Sequence, residues 1–102
     1  MARVVYTPAA VRDLERLVDF LLLEDPPAAI ETAELITDAI AMLEKHPLLG
    51  HVAADDLREL VISRGRSGYL ALYDYDALAD AVVILGIRHQ REAGYFDPLV
   101  PD

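Results

Sequence analysis

The residues best suited to chemistry in this chain are four in a row, Arg88-His89-Gln90-Arg91, where an imidazole sits between two permanent cations. Guanidinium groups bind phosphate oxygens in a fixed fork, and a histidine gives or takes a proton near neutral pH. The same four residues equally fit a solvated strand end whose arginines pair with nearby carboxylates. Arg64 and Arg66 form a second basic pair, suited either to touching a partner or to an ordinary charged hairpin tip. Tyr69, Tyr73 and Tyr75 stand at even spacing and so share one face of a regular strand. That face can stack on bases or on a protein partner, or it can pack across strands inside the fold. Arg58 has the parity of Leu60 and Ile62, which places it at the edge of the core or against one of the acids. His46 precedes Pro47 at a helix end, where a histidine complements the helix dipole, and His51 falls in a loop with no neighbour that suggests a ligand. There is no cysteine, no metal-ligand spacing, no phosphate-binding glycine loop and no nucleophile elbow. The expected site therefore holds neither a metal nor a cofactor.

Several elements must position these groups. Residues 2–6 (ARVVY) form a short β-branched and aromatic run that ends at Thr7-Pro8. Thr7 can cap a helix whose first position is Pro8, where the missing amide hydrogen costs nothing. Val11, Leu14, Val18, Leu21 and Leu22 then recur at helical spacing, with Arg12, Asp13, Glu15, Arg16 and Asp19 on the other side. Glu24-Asp25-Pro26-Pro27 ends that helix and can open another, because proline disfavours helical geometry in the residue before it. The second helix carries Ala29, Ala33, Ile36, Ile40 and Leu43 on one stripe, widened by Ile30 and Leu35. Residues 46–57 read as a loop. Residues 57–63 and 69–75 then read as strands around the turn of residues 64–68, and residues 81–87 as a central strand buried on both faces. The expected architecture is α+β, in the order β-α-α-β-β-β, with a helical hairpin packed on one face of a small, mainly antiparallel sheet. Residues 1–102 are expected to form one domain, with an irregular tail from about residue 92.

Composition narrows the function classes. The 102 residues carry a formal net charge of −9, which opposes holding a nucleic acid by its phosphates. The distribution is uneven: residues 58–91 hold five of the nine basic residues against four acids, so a local basic patch remains compatible with the acidic whole. The longest apolar runs fall far short of the roughly 20 residues that span a bilayer. No secretory segment is visible at the N-terminus, so a cytoplasmic protein with no membrane partner is expected.

Taken together, VVYTPAAVRDL, AIAMLEKHPLLG, LRELVI, SGYLALYDYD and VVILGIRHQRE, in this order and spacing, resemble the RelE/ParE toxin superfamily of bacterial toxin–antitoxin modules. The resemblance covers roughly 90 residues. It implies two helices on a small twisted sheet, and neutralisation by a cognate antitoxin whose disordered C-terminal segment folds over the toxin. It also implies one of two activities: RelE-like members cleave mRNA in the ribosome without a metal, and ParE-like members inhibit DNA gyrase.

Departures from the RelE-like pattern favour the second. The glycine-tyrosine pair of the third long strand is typically followed by a catalytic arginine, and here Gly68-Tyr69 is followed by Leu70. Lysines expected on the preceding strand are replaced by Glu59, Val61 and Ser63. A metal-free ribonuclease must neutralise a crowded phosphorane and move a proton, so these losses weigh against it. The resemblance thus implies a ParE-like gyrase inhibitor whose partner-binding residues are Arg58, Arg64, Arg66, Tyr69, Tyr73, Arg88, His89 and Arg91. The alternative is a ribosome-dependent mRNA endoribonuclease in which His89 or Tyr95 handles the proton and Arg88 or Arg91 the phosphate. An inactive relative that binds only the antitoxin is a further alternative. The antitoxin contact is expected to be mainly hydrophobic, over the helical hairpin and a sheet edge.

Overall fold

The computed structural model describes residues 1–64 and 67–96, with only the backbone of Arg64 and Ser67. Strand β1 (Arg3–Tyr6) leads into helix α1 (Pro8–Glu24), and α2 (Pro26–Ala41) follows, ending in a 3-10 turn at Met42–Glu44. Strands β2 (His51–Val52), β3 (Arg58–Arg64), β4 (Ser67–Asp76) and β5 (Ala81–His89) complete the chain of elements. The helix starts are built as the sequence implies. The Thr7 hydroxyl accepts from the Ala10 amide at 3.2 Å, the Asp25 carboxylate accepts from the Ala28 amide at 3.3 Å, and a proline opens each helix. Asp25 alone separates the helices, so they form a tight antiparallel hairpin.

The sheet has the order β1-β5-β4-β3-β2. β1 runs parallel to β5, and the other pairings are antiparallel. β5, expected as the central strand, is an interior strand between β1 and β4, and β4 is the middle one. The segment expected to be all loop between α2 and β3 contains the two-residue strand β2, which pairs His51 with Glu59 and Val52 with Arg58. β3 and β4 extend into the stretch expected as turn, since Ser67 and Gly68 pair with Arg64 and Ser63.

Ile36, Ile40 and Leu43 of α2 meet Leu60, Ile62, Tyr73, Val82, Ile84 and Ile87 of the sheet in one core. Tyr73 is fully buried there. Its hydroxyl donates to the Pro47 carbonyl and accepts from the Gly50 amide, both at 2.8 Å, which ties the β2 loop to the sheet. Position 50 admits only glycine, since a β-carbon would stand 2.7 Å from the Tyr73 ring.

α1 departs from the simple amphipathic pattern. Its buried residues are Ala9, Ala10, Asp13 and Leu17, whereas Val11 and Leu22 are exposed. The apolar stripe is rotated because the small alanines let the helix lie close to β5, and because the backbone of β5 needs a carboxylate there. Ile30, expected to widen the stripe of α2, is exposed as well.

Candidate functional site

β5 divides the residues that looked like one cluster. Arg88 pairs with Leu70 and His89 with Tyr69, and successive residues of a strand point to opposite faces. Tyr69 belongs to the core beneath the helices, so His89 lies on the helix side of the sheet and Arg88 on the other, open side. Strand alternation thus separates Arg88 from His89, leaving Arg88 beside Tyr95 on one face and His89 beside Arg91 on the other.

The edge of β5 explains what else gathers here. β1 accompanies β5 only as far as Ile84, so the next amides on that edge lack a strand partner. Side chains replace it. The Ile87 amide donates to Asp13 Oδ2 at 2.9 Å, and the His89 amide donates to Glu92 Oε1 at 2.9 Å. Arg16 lies between the two carboxylates, 3.6 Å from Asp13 and 3.0 Å from Glu92. Asp13 is only 5% exposed, and its role as a substitute strand partner is why a carboxylate sits on the buried side of α1.

From Glu92 the chain crosses toward the open face. The Arg88 guanidinium donates to the Glu92 carbonyl at 2.6 Å and lies 5.2 Å from the centre of the Tyr95 ring. Tyr95 rests against Gly86, where a β-carbon would come within 2.8 Å of its ring. Its hydroxyl donates to Glu59 Oε2 at 2.7 Å, and His51 Nε2 lies 3.4 Å from the other Glu59 oxygen. Burial, together with the Glu59 bond and charge, pushes the Tyr95 hydroxyl pKa well above its ordinary value, against a smaller opposing effect of Arg88. Tyr95 is therefore held protonated and spends its proton on Glu59, a poor arrangement for proton exchange with a substrate. Phe96 continues the segment, with Arg16 stacked 4.1 Å from the centre of its ring.

On the helix side, a cavity of about 520 Å³ is lined by Arg16, Leu17, Phe20, Leu21, Tyr69, His89, Arg91 and Glu92. Tyr69 and His89 meet edge to face with ring centres 5.2 Å apart. The Arg91 amide donates to His89 Nδ1 at 3.1 Å, so a neutral ring carries its proton on Nε2.

The remaining candidates are dispersed. Tyr73 is in the core, and Tyr75 bonds Asp80 Oδ1 at 2.8 Å, so the tyrosine face is a packing surface in the free protein. Arg58 braces the β2 loop through the carbonyls of Gly50 and Leu48, at 2.8 and 3.2 Å. Arg66 and the side chain of Arg64 lie outside the described residues. Three carboxylates were not expected to matter: Asp13, Glu59 and Glu92. For Asp13 the available signal was its register with Ala10 and Leu17 on the helix. Glu59 and Glu92 gave none, because their roles depend on pairing between distant segments.

Comparison with known proteins agrees with this fold. Residues 4–94 match the family model described as ParE toxin of type II toxin-antitoxin system, parDE. Two curated proteins of Caulobacter vibrioides are similar to the chain. Toxin RelE3 is 39% identical over 92 residues, covering 90% of this chain and 98% of that one. Toxin RelE1 is 33% identical over 89 residues, covering 87% and 94%. Among solved structures, a chain of the chromosomal ParDE TA system from P. aeruginosa superposes with a TM-score of 0.71 at 18% identity, covering 87% of this chain and 96% of that one. A chain of the toxin-antitoxin complex RelBE2 from Mycobacterium tuberculosis gives 0.58 at 25%, covering 89% and 93%.

Proposed function

Since this chain belongs to the ParE toxin family of type II toxin–antitoxin systems, we propose that it arrests growth by binding DNA gyrase rather than by cutting RNA, and that a cognate antitoxin silences it. The observation that carries this reading is the separation of Arg88 from His89 by the sheet. A metal-free ribonuclease needs a cation and a proton carrier converging on one phosphate. On the open face Arg88 is accompanied by Tyr95, whose proton is committed to Glu59. Leu70 occupies the position beside Arg88 where a second cation would help. On the helix side His89 and Arg91 line one cavity, but its apolar wall of Leu17, Phe20 and Leu21 suits a side chain better than a nucleotide backbone.

The antitoxin contact is assigned to the groove along β1. Val4, Tyr6, Val11, Leu14 and Ile40 line a cavity of about 510 Å³ there, and β1 is an edge strand of the sheet. A disordered tail needs apolar area to offset its ordering, and a free strand edge offers it backbone partners.

Expressing the chain without its antitoxin tests the reading. Filamentation with DNA damage, together with loss of supercoiling by purified gyrase, is the expected result, and cleaved mRNA with intact supercoiling overturns it. The RNase reading is the second one, because both curated relatives are named RelE toxins and Arg88 and Tyr95 share a face. Normal growth with folded protein would mark an inactive relative.

A further inference from the structure

We propose that the apolar seam between α1 and α2, on the outer surface of the hairpin, docks an amphipathic helical segment of the antitoxin whose apolar stripe is flanked by lysine or arginine. This rests on the reading that an antitoxin fills the β1 groove, and it names the chemistry of the segment that continues from there.

The seam extends that groove. Val11, Val18 and Leu22 recur on α1 at steps of seven and four residues, so they share one helix face. Ile30, Thr37 and Ala41 repeat the same steps on α2. The groove wall sets Val11 and Leu14 against Thr37, Ile40 and Ala41, which places the two faces side by side in the antiparallel hairpin. From Val11 to Leu22 the seam runs about 17 Å, or about three helical turns. Val11 is 41% exposed, Leu22 45% and Ile30 60%, and Val18 is half-buried. An apolar strip with a polar border marks an interaction surface, and the furrow between two packed helices suits a third helix.

The border decides what covers the strip. Glu15 and Asp19 flank it on α1, Glu34 and Asp38 flank it on α2, and all four are exposed. Glu44 lines the groove end. None of these five carboxylates has an ion pair among the described residues. Arg16, next to Glu15 in the chain, is turned toward Asp13 and Glu92. Residues 8–45 hold nine acids and three bases, Arg12, Arg16 and Lys45, so this part of the chain keeps a charge of −6 with every pair counted. A second copy would bring the same carboxylates to the seam, and an acidic segment or a nucleic acid would meet the same repulsion. A helix with an aliphatic stripe and Lys or Arg on both flanks covers the strip and pairs with its border.

The test uses the full chain, ¹⁵N-labelled, and two N-acetylated, C-amidated helical peptides of about 18 residues. Both carry the same Leu and Ala stripe, one with lysine on its flanks and the other with glutamate. The lysine peptide is expected to give saturable shifts at Val11, Val18, Leu22 and Ile30, with binding about 10-fold tighter than the glutamate peptide or better. Leu22→Gln combined with Ile30→Gln, both at exposed positions, should weaken it about 5–10-fold while the urea midpoint is kept. Glu15→Gln combined with Glu34→Gln should weaken it about 3–10-fold. Asp56→Asn combined with Asp74→Asn, the same change of charge at exposed sites off the hairpin, should alter it less than about 2-fold. Equal response to the two charge pairs, equal binding of the two peptides, or self-association of the chain through the seam would overturn the proposal. Shifts at Val4 and Tyr6 that spare Val18, Leu22 and Ile30 overturn it and leave the β1 groove reading standing. Shifts at Val18, Leu22 and Ile30 that spare Val4 and Tyr6 support it and count against the groove.

Discussion

The open face of the sheet and the cavity beneath α1 are supplied by the same strand end, yet they differ in how their polar groups are spent. On the open face, Tyr95 gives its proton to Glu59, and His51 approaches the other oxygen of that carboxylate. Arg88 is held by the Glu92 carbonyl and by the Tyr95 ring. On the helix side, Tyr69, His89 and Arg91 line an open space walled by Leu17, Phe20 and Leu21. The open face is covered by the segment that carries Tyr95, with Arg88 Nε left buried and without a hydrogen-bond partner among the described residues, whereas the helix side keeps a cavity. The two are joined by Asp13, Arg16 and Glu92, which occupy the edge of β5 between them.

The largest effect should come from removing that shared support. Asp13→Ala leaves the Ile87 amide without its acceptor in a buried place and Arg16 with Glu92 as its one remaining carboxylate among the described residues, and should cost about 2–3 kcal/mol of stability in urea denaturation. Shifts should appear on both sides of the sheet. If they stay on one side, the edge does not couple the regions.

Gly86→Ala is directed mainly at the open face, its β-carbon falling closest to the Tyr95 ring and 3.3 Å from Asp13 Oδ2. The added β-carbon cannot coexist with the present position of the Tyr95 ring, and about 1 kcal/mol or slightly more should be lost as the segment moves outward. NMR should then report Tyr95 and Glu59 displaced while Tyr69 and His89 keep their shifts. A change at Tyr69 of similar size would contradict the independence of the two regions.

Tyr95→Phe has the smallest expected effect, about 1 kcal/mol near neutral pH, because it removes one part-buried bond to a carboxylate. The pH dependence identifies the cause. The folded pKa of Tyr95 lies above the ordinary value near 10, so the protonated hydroxyl favours the fold at all pH below about 10. That contribution is lost as pH rises from there toward the folded pKa. Denaturation midpoints of the wild type and the phenylalanine variant should converge on titration above about pH 10.

Much of the fold was legible in residues that act on near neighbours. Thr7-Pro8 and Asp25-Pro26 mark the helix starts through capping chemistry, and Ile36, Ile40 and Leu43 mark the buried side of α2 through their spacing. The parity of Tyr69 and Tyr73 placed them correctly on one face, but parity does not say which face the helices cover. β2 was invisible because two residues have no periodicity, and their pairing depends on a loop folding back to Glu59 and Arg58.

The candidate site was legible only as a run of suitable side chains. By itself the sequence determined the family, the α+β order of elements and the absence of cysteine chemistry, because motif order, helical spacing and composition are properties of the chain. The tertiary structure decided that Arg88 and His89 part company, that Asp13 and Glu92 stand in for a missing strand, and that Tyr95 is locked to Glu59. The roles of Asp13 and Tyr95 depend on contacts between segments more than 30 residues apart, that of Glu92 on where β1 stops opposite Ile84, and the parting of Arg88 and His89 on β5 continuing through His89 in register with β4.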